Sequence, residues 1–225
     1  MKYEIIGGSL PALECELNCG EKMFTESGGM SWMDNSFEMT SNTRGGIMKG
    51  LGRALSGESI FLTTYTATED HSKIAFASCF PGNILPLDLS DSECIIAQKH
   101  AFLAAEDSVE LEMFFRKKLG VGFFGGEGFI LQKIKGPGMA FLEIDGSIVE
   151  RTLAAGEILK VDQGYIAAFE PTVEFDITTI KGLSNVLFSG EGMFVATLKG
   201  PGKVWLQTMP YSKLANAILS MVPHK

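Results

Sequence analysis

Three glutamates, Glu58, Glu127 and Glu191, recur in Ser56-Gly57-Glu58-Ser59, Gly125-Gly126-Glu127-Gly128 and Ser189-Gly190-Glu191-Gly192. Carboxylates gathered from three places could form the oxygen-rich site that a hard cation requires. Left unpaired at close range, they would repel and raise one another's pKa. The plainer reading is that each accepts backbone N–H bonds at a glycine turn or forms an ion pair. No metal or other cofactor is assigned.

Other reactive types do not assemble into a site. Gly120-Val121-Gly122-Phe123-Phe124-Gly125 satisfies G-x-G-x-x-G. A dinucleotide site needs a helix after the glycines, whereas the residues that follow are strand-like, so a glycine-rich loop is expected. The histidines are His71, His100 and His224. His71 falls in a turn and His224 at the C-terminus. His100 aligns with Gly28 and Gly164, which predicts a turn position with unusual backbone angles. No His and Glu cluster of the cupin kind is found, nor a Ser/His/Asp or Cys/His set, so no catalytic residue is named. Cys15 and Cys19 share a strand face but stand roughly 13 Å apart at ~3.3 Å per residue, too far for a disulfide. With no signal peptide visible, reduced thiols in a cytoplasmic protein are expected.

The most suggestive residues are cations set among apolar ones. Residues 44–57 hold Arg44, Lys49 and Arg53; residues 116–126 hold Arg116, Lys117 and Lys118 with Phe123 and Phe124; residues 181–190 hold Lys181. Seven of the 19 lysines and arginines lie in these stretches, with no acid among them. A basic, apolar, glycine-rich rim suits an anionic membrane surface or a partner protein. The chain as a whole has a formal net charge of −8, which disfavours bulk attraction to nucleic acid. The competing reading buries the apolar residues between units and leaves the cations as solvated ends.

The elements that must position these residues follow from period-2 alternation. Leu13-Glu14-Cys15-Glu16-Leu17 and Val173-Glu174-Phe175-Asp176-Ile177 alternate as half-buried strands do. Gly20-Glu21, Ser92-Glu93 and Gly156-Glu157 recur at offsets of 72 and 64, and the glutamate motifs recur at 69 and 64. Self-similarity of this kind predicts an all-β fold of three tandem β-sandwich-like repeats related by pseudo-threefold symmetry. The repeats cover about 3–78, 84–145 and 147–209 within one domain spanning 1–225. Lys135-Gly136-Pro137-Gly138 and Lys199-Gly200-Pro201-Gly202 are expected as hairpin turns. A short C-terminal helix over about 211–222 is predicted from Leu214, Ile218, Met221 and Val222, with Ser212 as its cap.

The chain resembles the altered inheritance of mitochondria, or mitochondrial biogenesis, family. The residues that carry the likeness are Gly45 to Arg53 and Leu55-Ser56-Gly57-Glu58-Ser59-Ile60-Phe61-Leu62. Pro81-Gly82-Asn83-Ile84, Ala101-Phe102-Leu103-Ala104 and Gly200-Pro201-Gly202-Lys203-Val204-Trp205-Leu206-Gln207-Thr208 carry it further. The resemblance implies an uncharacterised prokaryotic member with a fold like the tryptophan-RNA-binding attenuation protein, of the double-stranded β-helix type. It also implies a homo-oligomer, with a trimer favoured.

The function expected from these readings is a non-enzymatic oligomeric scaffold or assembly protein, cytoplasmic and peripheral to a membrane. Its partners would be copies of itself and an anionic membrane surface or a protein; nucleic acid is disfavoured. The alternatives are an RNA-binding module, by fold analogy, and a small-molecule or metal-binding protein sited at a repeat interface.

Overall fold

The computed structural model of the chain describes residues 1–42, 62–91, 93–117, 129–179 and 194–221. Its strands are β1 (Lys2–Ile6), β2 (Ala12–Leu17), β3 (Lys22–Glu26), β4 (Trp32–Met33), β5 (Phe37–Asn42), β6 (Leu62–Ala67), β7 (Ser72–Ala77), β8 (Gly82–Leu89), β9 (Cys94–Gln98) and β10 (Phe102–Glu106). There follow β11 (Glu110–Lys117), β12 (Phe129–Lys135), β13 (Gly138–Asp145), β14 (Ile148–Leu153), β15 (Ile158–Asp162), β16 (Ile166–Phe169), β17 (Glu174–Thr179), β18 (Phe194–Lys199) and β19 (Gly202–Gln207). One helix, α1 (Tyr211–Leu219), closes the described chain. Among the described residues the fold is mostly antiparallel β with this one short helix.

The strands fall into two compact units. The first comprises Met1–Glu93, Phe102–Glu110 and Gly136–Glu143. It carries sheet A, ordered β1-β2-β7-β4, and sheet B, ordered β5-β6-β3-β10-β13-β8. Alternation decides which face is buried. Leu13, Cys15 and Leu17 point inward from β2 and meet Ile74 and Phe76 of β7. Glu14 and Glu16 point the other way, and Glu14 pairs with Lys73 at 2.7 Å. From sheet B, Met23, Tyr65, Ala67, Leu103 and Phe141 join the same core.

The second unit comprises Cys94–Ala101, Leu111–Lys135 and Ile144–Lys225. It carries sheet C, ordered β11-β12-β9-β16-β19-β14, and sheet D, ordered β15-β18-β17. Its core takes Ile96, Phe129, Leu131, Phe169 and Val204 from sheet C and Ile177, Ala196 and Leu198 from sheet D. Phe175 stacks on Phe129 and Phe169, at centroid distances of 5.9 and 5.7 Å.

Each strand of sheet C lies six places further along the chain than its counterpart in sheet B. The registers match too. Ala105 faces Phe24 where β10 meets β3, and Phe169 faces Ile96 where β16 meets β9. The corners recur as well. The side chains of Glu21, Glu93 and Glu157 accept the N–H groups of Asn18, Ser90 and Ala154, at 2.8, 2.8 and 2.9 Å. The segment 84–145 contributes strands to both compact units.

Three local expectations are corrected. The Gly-Pro-Gly turns do not close hairpins. β12 lies in sheet C and β13 in sheet B, and β18 lies in sheet D and β19 in sheet C, so each turn passes the chain between sheets. A Cβ on Gly136 would strike the carbonyl oxygen of Ser90, which is why glycine precedes a cis-proline there. His100 does not occupy a left-handed position; it lies in the 3-10 turn Lys99–Ala101. His71 is the described non-glycine residue with positive φ, at 61°. Ser212 is the second residue of α1 rather than its cap, and the Pro210 carbonyl accepts N–H bonds from Lys213 and Leu214.

Candidate functional site

Arg44, Lys49, Arg53, Glu58, Lys118, Phe123, Phe124, Glu127 and Glu191 lie outside the described residues, as does the Gly120 to Gly125 motif. Arg116 and Lys117 are the last two residues of β11. What the structure describes is the strand pair on either side of each loop. Asn42 of β5 faces Leu62 of β6, and Thr179 of β17 faces Phe194 of β18. β11 and β12 are likewise neighbours. So each of the three basic stretches, followed by Glu58, Glu127 or Glu191, belongs to the chain between two adjacent strands. Among the described residues, β5, β11 and β17 each lie at an edge of their sheet. Met39 and Phe114, on two of these edges, are 54% and 48% exposed.

A second constellation, which sequence reasoning missed, seats α1. Asp145 ends β13 and is buried. Its carboxyl is pushed up to about 6 by burial, partly offset by a hydrogen bond from the Tyr211 N–H. The carboxylate thereby meets the first residue of α1, where unsatisfied N–H groups favour negative charge. Gln207 accepts the Asp145 N–H through Oε1 at 3.2 Å, and its Nε2 donates to the Gly164 carbonyl at 2.9 Å. Gln98 Nε2 donates to the Gln163 carbonyl at 2.8 Å. Lys213 Nζ lies 2.7 Å from Tyr165 Oη and 4.6 Å above that ring. His100 meets Tyr211 edge-on at 5.1 Å. Buried glutamines thus satisfy the backbone of the 3-10 turn Gln163–Tyr165 beneath the helix start. The sequence carries Asp145 only as Ile-Asp-Gly, an ordinary turn signal.

A third, shallow pocket is lined by Asp34, Asn35, Ser36, Thr68, Glu69, Asp70, His71 and Ser72. Several of its polar side chains are already engaged. Asp34 accepts the Lys73 N–H at 2.7 Å, Asp70 accepts the Cys19 N–H at 2.9 Å, and the Ser36 and Ser72 hydroxyls bond at 2.6 Å. His71 Nδ1 stands 2.7 Å from Glu16 Oε1, and that hydrogen bond, with help from Lys2, holds the Glu16 carboxyl below its ordinary value. Among the described residues no three His, Cys, Asp or Glu side chains are grouped to hold a metal. The four cysteines are unbridged. Burial, with Glu106 adding to it, pushes the Cys15 thiol up to about 12, which leaves it a core residue rather than a nucleophile.

Known proteins place this arrangement. An uncharacterised protein of Streptococcus pyogenes serotype M6 is 27% identical over 223 residues, covering 95% of this chain and 87% of its own length. The crystal structure of a Streptococcus pyogenes protein solved by a structural genomics consortium superposes with a TM-score of 0.80 at 25% identity, covering 98% of this chain and 99% of that one. Residues 3–209 match the family described as Mitochondrial biogenesis AIM24, and the chain belongs to that family.

Proposed function

We propose that this protein is a non-enzymatic scaffold that assembles from copies of itself and rests on an anionic membrane surface through its three basic, apolar loops. The observation that carries the reading is the shared placement of those loops. Each follows an edge strand and leads to that strand's neighbour, and together the stretches 44–57, 116–126 and 181–190 hold seven cations and no acid ahead of Glu58, Glu127 and Glu191, in a chain of net charge −8. The threefold sequence repeat supports gathering the loops into one contact surface, with the three repeats built as like sandwich units. Peripheral contact suits the elements: among the described residues no helix is long and apolar enough to cross a membrane. Each cation near an anionic surface contributes about 1 kcal/mol, so several loops acting together give useful binding where one would not.

The test is co-sedimentation with vesicles of phosphatidylcholine containing phosphatidylglycerol. Neutralising Arg116, Lys117 and Lys118 together should weaken binding by roughly 100-fold, since three charges at about 1 kcal/mol each amount to about two decades. Pure phosphatidylcholine vesicles should bind neither protein. Equal binding of wild type and triple variant to the anionic vesicles rejects the membrane reading.

A further inference from the structure

The helix α1 is anchored at one end and uncovered at the other. Its first turn is held: the Tyr211 N–H bonds the Asp145 carboxyl, the Tyr211 ring meets His100, and Lys213 reaches Tyr165. Pro210, just before it, stands against Gly164, where an added Cβ would lie 3.1 Å from the proline Cβ. Leu214 is half-buried. Beyond it Ile218 is 56%, Leu219 62% and Met221 81% exposed. Met221 stays with the helix, since its N–H bonds the Ile218 carbonyl. Three large apolar side chains side by side in water favour whatever covers them.

The seat of α1 fixes where that face lies. Within the second compact unit the helix start rests on two 3-10 turns, Lys99–Ala101 and Gln163–Tyr165. The first follows β9, whose last residue, Gln98, faces Leu131 near the start of β12. The second follows β15, whose last residue, Asp162, faces Val195 near the start of β18. β12 and β18 are the strands that the basic stretches 116–126 and 181–190 precede. In antiparallel pairs the end of one strand meets the start of the next, so α1 sits at the end of sheets C and D to which those stretches belong. The exposed Ala155, ahead of the start of β15, marks the opposite end.

Charge and length say what the face meets. Residues 208–225 include Lys213, His224 and Lys225 and no acid, in a chain of net charge −8. Asp145, the acid beneath the helix start, is buried. An apolar face accompanied by cations alone complements an anionic lipid surface. At ~1.5 Å per residue the nine residues of α1 span roughly 14 Å, against ~30 Å for a bilayer core, so the helix can lie in the interface and not cross it.

We infer that α1 is a lipid-contact element, whose face of Ile218, Leu219 and Met221 enters the interface of an anionic membrane on the same side as the basic stretches. The inference deepens the reading above and rests on it for the presence of a membrane. The two contacts divide the work. Cations draw the chain to the surface through an attraction that salt screens, and α1 adds apolar burial that salt does not screen.

The test uses the full chain in a Cys19→Ser, Cys79→Ser, Cys94→Ser background, with an environment-sensitive dye on Met221→Cys or, as the control, on Ala155→Cys. Vesicles of phosphatidylcholine with phosphatidylglycerol should shift the Met221→Cys dye to the blue, and brominated lipid should quench it; the Ala155→Cys dye should do neither. Protein that co-sediments with the vesicles while the Met221→Cys dye stays silent overturns the inference and leaves the loops as the membrane contact. A blue shift that grows with protein concentration before any lipid is added assigns the face to a second copy and also overturns it. In parallel, Ile218→Ser, Leu219→Ser and Met221→Ser together should weaken vesicle binding by roughly 10-fold or more and remove the binding that survives about 0.5 M salt. Equal salt-resistant binding by this variant counts against the helix. Neutralising Arg116, Lys117 and Lys118 should instead remove the salt-sensitive part; if it removes nothing while the dye still responds, the loop reading fails and the helix contact stands.

Discussion

Asp145 shows how burial turns a turn residue into a titrating group. Its folded pKa is about 6 against an ordinary value of 3.8, so the native state binds the proton more tightly than the unfolded chain. Stability therefore falls as pH rises from about 3.8 through about 6, and the whole cost is present above that range. The shift corresponds to at most about 3 kcal/mol. Asp145→Asn keeps an oxygen for the Tyr211 N–H and removes the charge. At pH 8 its urea midpoint should exceed that of wild type by an amount worth roughly 2–3 kcal/mol, while at pH 4.5 the gap should shrink to roughly 1 kcal/mol and at about pH 3 it should close. A pH-independent difference would show that Asp145 is not the group responsible. The cysteines divide by the same physics. Cys19 and Cys79 are exposed and should react quickly with a thiol reagent at pH 8, whereas buried Cys15 should react only on unfolding.

Elements repay the reading of residues unevenly. Alternation in Leu13 to Leu17 marked both the strand and its buried face, and the offsets of Gly20-Glu21, Ser92-Glu93 and Gly156-Glu157 marked three corners whose glutamates do accept the same backbone N–H. Pairing was less legible. Gly136-Pro137-Gly138 resembles a hairpin turn because turn chemistry is local, whereas the sheet that receives the next strand is decided by long-range packing. One partner of β10, for example, is β3, where Ala105 faces Phe24 from 81 residues away. The site was less legible still, since burial sets the behaviour of Asp145 and no neighbour in sequence reports it. Gly136 offers a test at this scale. Its added Cβ meets the Ser90 carbonyl oxygen and lies 2.7 Å from that of Leu89. At Gly20 nothing lies within 4 Å, but φ is +85°. Gly20→Ala should cost about 1–2 kcal/mol of backbone strain alone. Gly136→Ala should cost more, about 3 kcal/mol, since backbone on both sides has to move. Urea unfolding ranks the two, and equal losses would show that the Gly136 corner yields freely.

At the scale of the whole molecule, the self-assembly proposed above would tie stability to concentration, with the exposed Trp32 of β4 and Ile158 of β15 as the apolar edge residues that it would cover. A partner copy that binds folded chain and not unfolded chain raises the unfolding midpoint by mass action. Where copies dissociate on unfolding, a tenfold rise in protein concentration adds up to about 1.4 kcal/mol per interface. For a chain of this size that corresponds to roughly 3–6 °C per decade. Scanning calorimetry of wild type over two decades of concentration should show this climb, and Trp32→Lys should flatten it while leaving the midpoint at the lowest concentration nearly unchanged. The same measurement separates edge pairing from loop association. Neutralising Arg116, Lys117 and Lys118 removes charge from a different part of the chain and should leave the slope intact. A wild-type midpoint that does not move with concentration would mean that the exposed Trp32 and Ile158 serve something other than a second copy.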